Sequence, residues 1–136
     1  QTDKELVSLK DEMEFVEDYI FLSQMRFGKG LLFDSQIKNF GNIQVVPLGL
    51  QMLIENAMKH NTLSDDMPLK IEMKTEDGYI VVTNNIQEKR IIASASTPLG
   101  LENIRKRYAY LSGASVEVIK TENEFIVKLP VIEGQL

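Results

Sequence analysis

In Leu50-Gln-Met-Leu-Ile-Glu-Asn-Ala-Met-Lys-His-Asn61, apolar and polar residues separate into two faces at helical spacing. Leu50, Leu53, Ile54 and Ala57 gather on one side and form a core-facing stripe. Met52, Glu55, Asn56, Lys59 and His60 gather on the other. That polar side holds an amide oxygen, a carboxylate, a cation and an imidazole within two turns, a set that suits a bound metal–phosphate. Mg²⁺ takes oxygen ligands and shares its shell with substrate phosphates and water, so a neutral Asn56 adds no further negative charge beside a triphosphate. Lys59 offers an ammonium to a phosphate one turn on. His60 offers stacking or a hydrogen bond to a nucleotide, and Glu55 offers a group to orient water or a nucleophile. The same face also reads as a solvated surface with an i,i+4 Glu55–Lys59 pair, and the pattern alone leaves both open.

Outward from this helix the order of elements predicts an α+β fold. Residues 3–28 read as a helix. Leu6, Leu9, Met13, Val16, Ile20, Ser23 and Phe27 make a heptad seam, with Phe15, Tyr19 and Leu22 as a second apolar line beside it. This is more apolar surface than one neighbour requires. The helix either packs only on its own domain or also continues an upstream dimerising stem. Gly28 and Gly30 end it, and 31–38 reads as a strand. Residues 39–44 read as a polar loop, with Pro47 in the first turn of the helix that runs to Asn61. Strands at 69–75 and 79–83 flank Glu76-Asp77-Gly78, a hairpin signal. Residues 84–98 are small and charged and read as a mobile loop. Residues 99–112 form a helix stopped by Gly113, and 116–120 and 124–130 form a second hairpin. Strands beside strands, with helices between pairs, give a two-layer α/β sandwich: a mixed, mainly antiparallel sheet with helices on one face.

Composition narrows the function classes. The chain has 136 residues, enough for one domain with its own core. A formal net charge of −5 argues against broad capture of nucleic acid or anionic membrane, so any anionic ligand must be met by local cations. With no cysteine and one histidine, disulfides, thiolate metal sites and multi-histidine metal sites are excluded. No apolar run is long enough to span a bilayer. The chain opens on Gln1, in mid-pattern, and reads as a fragment of a longer protein.

Two further constellations follow in order. Thr83-Asn84-Asn85 closes a strand. There an Asn side chain can accept a hydrogen bond from an adenine amino group and donate one back, although Asn-Asn is also ordinary turn chemistry. Ser96-Thr-Pro-Leu-Gly-Leu-Glu-Asn-Ile-Arg-Lys-Arg107 leads a loop of small residues into a helix whose free N–H groups favour phosphate. Gly100 permits close backbone approach, and Asn103 and Arg107 lie one turn apart. A capped helix with a basic solvated face fits the same residues.

Taken together, these motifs resemble the GHKL ATPase superfamily. Leu-Ile-Glu-Asn-Ala-Met-Lys-His, from Leu53 to His60, is similar to its N-box. Asn84 falls where the first glycine box has an adenine-binding Asp. Pro98-Leu-Gly-Leu-Glu-Asn-Ile-Arg-Lys-Arg-Tyr108 resembles the second glycine box. With Tyr19-Ile-Phe-Leu-Ser-Gln-Met-Arg-Phe27 upstream, the chain resembles the LytS/YehU-like sensor histidine kinases over nearly its whole length. It departs from the pattern at Asn84-Asn85-Ile86, which lacks the Asp and Gly of the first box. It departs again at Ser96-Thr97-Pro98, which lacks two glycines of the second.

The resemblance implies a Bergerat-type ATP-binding catalytic domain over residues 29–136, with 1–28 as a helix continuing from a dimerisation stem. It implies ATP and Mg²⁺ as ligands, with transfer of the γ-phosphoryl to a histidine on an upstream domain outside this chain and then to a response regulator. Asn56 would hold Mg²⁺. Lys59 and Arg107 would face phosphate, and His60 would line the pocket. Asn84 would read adenine. Leu99, Gly100 and Leu101 would shape the phosphate loop, and Glu55 would polarise. Lys89 and Arg90 are the cations of a short lid. The parent is expected to be a homodimeric, membrane-bound bacterial sensor with this part in the cytoplasm, and no nucleic acid partner is expected. Competing expectations are a regulatory module on the same fold that has lost ATP binding, and a serine kinase or ATP hydrolase.

Overall fold

Asp77 and Gly78 both adopt positive φ, 52° and 82°, the geometry of a two-residue hairpin turn whose twist matches its strands. They join strand β4 (Leu69–Glu76) to β5 (Tyr79–Asn85) at the centre of the main sheet. The computed structural model describes residues 5–87 and 99–134. A second hairpin joins β6 (Glu117–Lys120) to β7 (Glu124–Pro130). Its turn is held by Thr121 Oγ1, which accepts from the N–H groups of Asn123 at 3.2 Å and Glu124 at 2.9 Å. With β2 (Leu31–Ser35) the five strands stand in the order β2-β4-β5-β7-β6. All pairs are antiparallel except β2 with β4, where Leu31 lies opposite Leu69. The expected mixed, mainly antiparallel sheet is therefore what the chain forms.

Alternate residues of these strands supply one apolar face: Leu31, Leu69, Ile71, Met73, Ile80, Val82, Val127 and Leu129 are all buried. Helices α1 (Leu9–Phe27), α2 (Gly49–His60) and α3 (Leu99–Ser112) cover it. In α2 the stripe read from the sequence is the buried one: Leu50, Leu53, Ile54 and Ala57. Gly113, at φ 75°, stops α3, with its N–H on Ala109 O at 3.0 Å. Among the described residues no helix is long and apolar enough to cross a membrane.

Four boundaries differ from the sequence reading. First, α1 starts at Leu9, not at residue 3. Ser8 caps it by accepting from Asp11 N at 3.0 Å, and Val7–Ser8 form a short strand, β1. Second, part of the expected 39–44 loop is a strand, β3 (Ile43–Val45), which with β1 and β8 (Ile132–Glu133) builds a three-stranded sheet in the order β1-β3-β8. Strands this short carry no legible alternation, and their partners are distant in sequence. Third, Pro47 lies before α2 rather than in its first turn. It occupies the second position of a turn closed by Gly49 N on Val46 O at 3.0 Å, with Leu48 at φ 63° in the third, the pattern of a type II turn. Fourth, Asn84 and Asn85 belong to β5, not to the loop that follows.

The seam of α1 packs on its own domain, with Leu9, Met13, Val16 and Ile20 buried. Its outer face does not. Phe15, Phe21, Leu22 and Met25 are 59–72% exposed, a contiguous apolar surface of the kind that marks a contact site.

Candidate functional site

The polar face of α2 keeps its side chains at the surface: Glu55, Lys59 and His60 are exposed, and Met52 and Asn56 are half-buried. Glu55 does not pair with Lys59. Its Oε2 accepts from Gln51 Nε2 at 2.9 Å. Glu55 also faces Tyr19 of α1, whose hydroxyl is raised above its ordinary pKa by burial first and by the Glu55 charge second. The Asn56 amide makes no hydrogen bond among the described residues, so its oxygen is uncommitted. The same residues hold no cluster of three or more His, Asp or Glu. This donor set fits a cation that arrives with phosphate and water as its other ligands.

The C-terminal end of α2 is tied to the end of β5 by a residue that sequence reasoning treated only as a helix boundary. Asn61 is 5% exposed. Its Nδ2 donates to Ala57 O at 2.8 Å, and its Oδ1 accepts from Gln87 N at 2.7 Å. Gln87 then donates through Nε2 to Thr62 O at 2.9 Å and Met67 O at 2.7 Å. This clamp brings Lys59 and His60 to the same end of the domain as Asn84.

Asn84 continues the inward-facing line Ile80–Val82–Asn84 and is buried at 5% exposure. It is a polar side chain where the alternation of the strand calls for an apolar one. Its Nδ2 donates to Asn85 O at 2.7 Å, and among the described residues its Oδ1 has no partner. Its Oδ1 and the second hydrogen of its Nδ2 are thus left over from the contacts within the described residues. Asn85 is structural: it accepts from Lys70 N at 2.7 Å and donates to Pro68 O at 3.2 Å, closing β5 onto the start of β4.

The second wall comes from α3. Gly100 packs directly on α2, where a Cβ would overlap Met52 Sδ and lie 3.4 Å from Met52 Cε. Beside this contact lies a groove of about 380 Å³, lined by Val46, Pro47, Gly49 and Met52 on one side and Gly100, Asn103, Ile104, Lys106 and Arg107 on the other. Arg107 is exposed, with Nη2 donating to Glu5 O at 3.4 Å, and Leu101 is half-buried against the core. The backbone of Leu99 opens α3. The Leu99 side chain and the expected lid residues Lys89 and Arg90 lie outside the described residues. The structure thus gathers Met52, Gly100 and Arg107 around the groove; Asn56 lies one turn on from Met52, Lys59 and His60 end α2, and Asn84 stands on β5.

No family model matches the chain. Over 88 residues, 62% of the chain, it is 26% identical to the sensor protein kinase HptS of Staphylococcus aureus, and that match spans 17% of HptS. The catalytic domain of histidine kinase ThkA superposes with a TM-score of 0.60 at 15% identity, over 92% of this chain and 95% of that one. The fold is that of histidine kinase catalytic domains. The cytoplasmic segment of histidine kinase QseC agrees, with a TM-score of 0.58 at 18% identity over 95% of this chain and 78% of that one. ThkA in complex with the response regulator protein TrrA matches with a TM-score of 0.56 at 18% identity, over 92% of this chain and 41% of that one. On this histidine kinase catalytic fold, Asn56, Asn84 and Gly100 stand on three different elements, α2, β5 and α3.

Proposed function

We propose that this chain is the ATP-binding catalytic domain of a two-component sensor histidine kinase of the LytS/YehU-like type. It delivers the γ-phosphoryl of ATP to a histidine on an upstream dimerisation domain, from which a response regulator receives it. The observation that carries this reading is the histidine kinase catalytic fold combined with an uncommitted Asn56 amide one turn from the Met52–Gly100 contact. His60 is the single histidine of the chain and sits on the nucleotide-facing helix, so the acceptor lies elsewhere. The chain corresponds to a small part of HptS, which supports a larger parent sensor with this domain on the cytoplasmic side. The ThkA–TrrA complex supports a response regulator as partner.

Each residue has a physical task. The Asn56 oxygen holds Mg²⁺, which neutralises phosphate charge when bound. Lys59 and Arg107 add positive charge toward the phosphates, which an acidic chain must supply locally. The N–H groups of Leu99, Gly100 and Leu101, which have no intrahelical partners among the described residues, face the phosphates. Asn84 Oδ1 accepts from the adenine amino group, and His60 lines the pocket. Glu55 orients polar groups near the transferred phosphoryl. Phosphoryl transfer through a loose transition state needs positioning and charge stabilisation, and neutral imidazole needs no strong base. The dimerisation stem of a homodimeric parent is joined ahead of Ser8, where α1 is capped, and residues 29–136 with α1 packed against them form the catalytic unit. The exposed outer face of α1 supports this.

One observation favours a second reading. One of the two Asn84 Nδ2 hydrogens is already spent on Asn85 O, which restricts how the side chain can turn toward adenine and suits a regulatory module with weak nucleotide binding. Calorimetry with Mg²⁺ and a non-hydrolysable ATP analogue separates the two. The wild-type chain is expected to bind. Asn56→Ala is expected to lose about tenfold in Mg²⁺-dependent affinity with an unchanged melting temperature. No wild-type binding at millimolar ligand refutes the kinase reading, and unchanged affinity in Asn56→Ala refutes the metal role.

A further inference from the structure

The segment Val46-Pro47-Leu48-Gly49, which leads into α2, is gripped from both sides by buried polar side chains of the other two helices. From α1, Glu12, 2% exposed, accepts from Leu48 N at 2.9 Å through Oε1. Through Oε2 it accepts from Leu50 N at 3.1 Å and Gln51 N at 3.4 Å. From α3, the Tyr108 hydroxyl, fully buried, accepts from Val46 N at 3.2 Å.

Helix α2 has no side-chain cap of its own and no acidic residue in its first turn. Beyond Gly49, whose N–H closes the turn on Val46 O, the free N–H groups of Leu50 and Gln51 and the positive end of the dipole are met by a carboxylate from another helix. A local cap such as Ser8 on α1 ties a helix only to its own chain, whereas Glu12 ties α2 to α1. Between the two grips, Leu48 is held at φ 63°, a conformation unfavourable for a residue with a Cβ that persists only when its surroundings impose it. Val46, Pro47 and Gly49 line one wall of the groove whose other wall is Gly100, Asn103 and Arg107. Tyr108 sits on the helix that carries that second wall.

We propose that Glu12 and Tyr108 are positioning residues that act as one joint. They fix the separation of α2 from α3, and with it the phosphate end of the nucleotide site. This rests on the function proposed above, but the geometry of the joint has a readout that does not. The contact between the Met52 side chain and Gly100 measures the separation of the walls without any ligand.

The test uses the 136-residue chain with labelled methionine methyl groups. Glu12→Gln keeps the shape but replaces one acceptor oxygen by a donor. Tyr108→Phe removes one oxygen atom and keeps the ring, so it remains informative if Glu12→Gln does not fold. Val81→Ala, buried in β5 but outside the core that the helices share, serves as a destabilised control. In the ligand-free state, the Met52 methyl–Gly100 nuclear Overhauser effect is expected to weaken in both joint variants and to persist in Val81→Ala. By calorimetry, both joint variants should lose about tenfold in affinity for the Mg²⁺–ATP analogue, as expected when a charged or buried hydrogen bond is broken. An intact Met52–Gly100 signal in both variants overturns the joint. A weakened signal with undiminished nucleotide affinity overturns its role at the site. A wild-type chain that binds no nucleotide overturns the functional reading, while the Met52–Gly100 signal still decides whether the joint sets the spacing.

Discussion

Replacing Gly100 by Ala separates two demands on this glycine: room for a ligand and room for Met52. Inside a helix the change ordinarily stabilises by about 0.5–1 kcal/mol. Here the new Cβ overlaps Met52 Sδ. Overpacking costs about 1–3 kcal/mol, and the flexible thioether places this case at the low end. With overpacking at about 1–1.5 kcal/mol, the net expectation is a loss of about 0–1 kcal/mol, seen as a fall of up to about 4 °C in melting temperature. In a Met52→Ala background the overlapping atom is gone, and the same change should stabilise. The resulting coupling is about 1–1.5 kcal/mol, read by urea titration of the four proteins of a double-mutant cycle. Additivity within about 0.5 kcal/mol would refute the argument. It would mean that Gly100 does not meet Met52 and that only ligand approach explains the glycine.

Three other outcomes follow from buried polar groups. Asn61→Ala breaks both bonds of the α2–β5 clamp and should cost about 2–3 kcal/mol in urea unfolding; a loss under about 0.5 kcal/mol would show that the clamp is dispensable. Burial pushes the Tyr108 hydroxyl from its ordinary 10.0 up to about 12. The unfolded chain therefore releases this proton first. The stability that Tyr108 contributes is complete below pH 10.0 and is lost as pH rises through about 12, a fall of about 2–3 kcal/mol. Tyr108→Phe should lack that step, so identical alkaline profiles would contradict it. Asn84→Ala should weaken ATP binding more than GTP binding in calorimetry, and an equal loss would contradict adenine readout by Oδ1.

Local signals in the sequence carried far. The two faces of α2, the Asp77-Gly78 turn and the Gly113 stop depend on residues a few positions apart, and all three appear where the pattern put them. What escaped depends on distant partners. The strands β1, β3 and β8 are two or three residues long and find each other across most of the chain. Pro47 fitted a helix start by local preference, but a tertiary grip by Glu12 and Tyr108 turned it into a type II turn. At the site, the polar stripe of α2 and the glycine of α3 were legible as residue types. The Asn61 clamp and the internal bond of Asn84 were not, because a side-chain hydrogen bond to a remote backbone group leaves no periodic trace.

The parallel pairing of β2 with β4 has a kinetic consequence. The hairpins β4–β5 and β6–β7 close between neighbours, at little cost in chain entropy. A parallel pair needs a crossover instead, here through α2, so β2 and the preceding α1 join a sheet that already exists. Since Glu12 on α1 supplies the N-terminal hydrogen bonds of α2, that helix stays frayed at its start until α1 docks. The last piece to assemble is thus the one that finishes the groove, and a chain caught short of that step holds the strands β4-β5-β7-β6 with an open site.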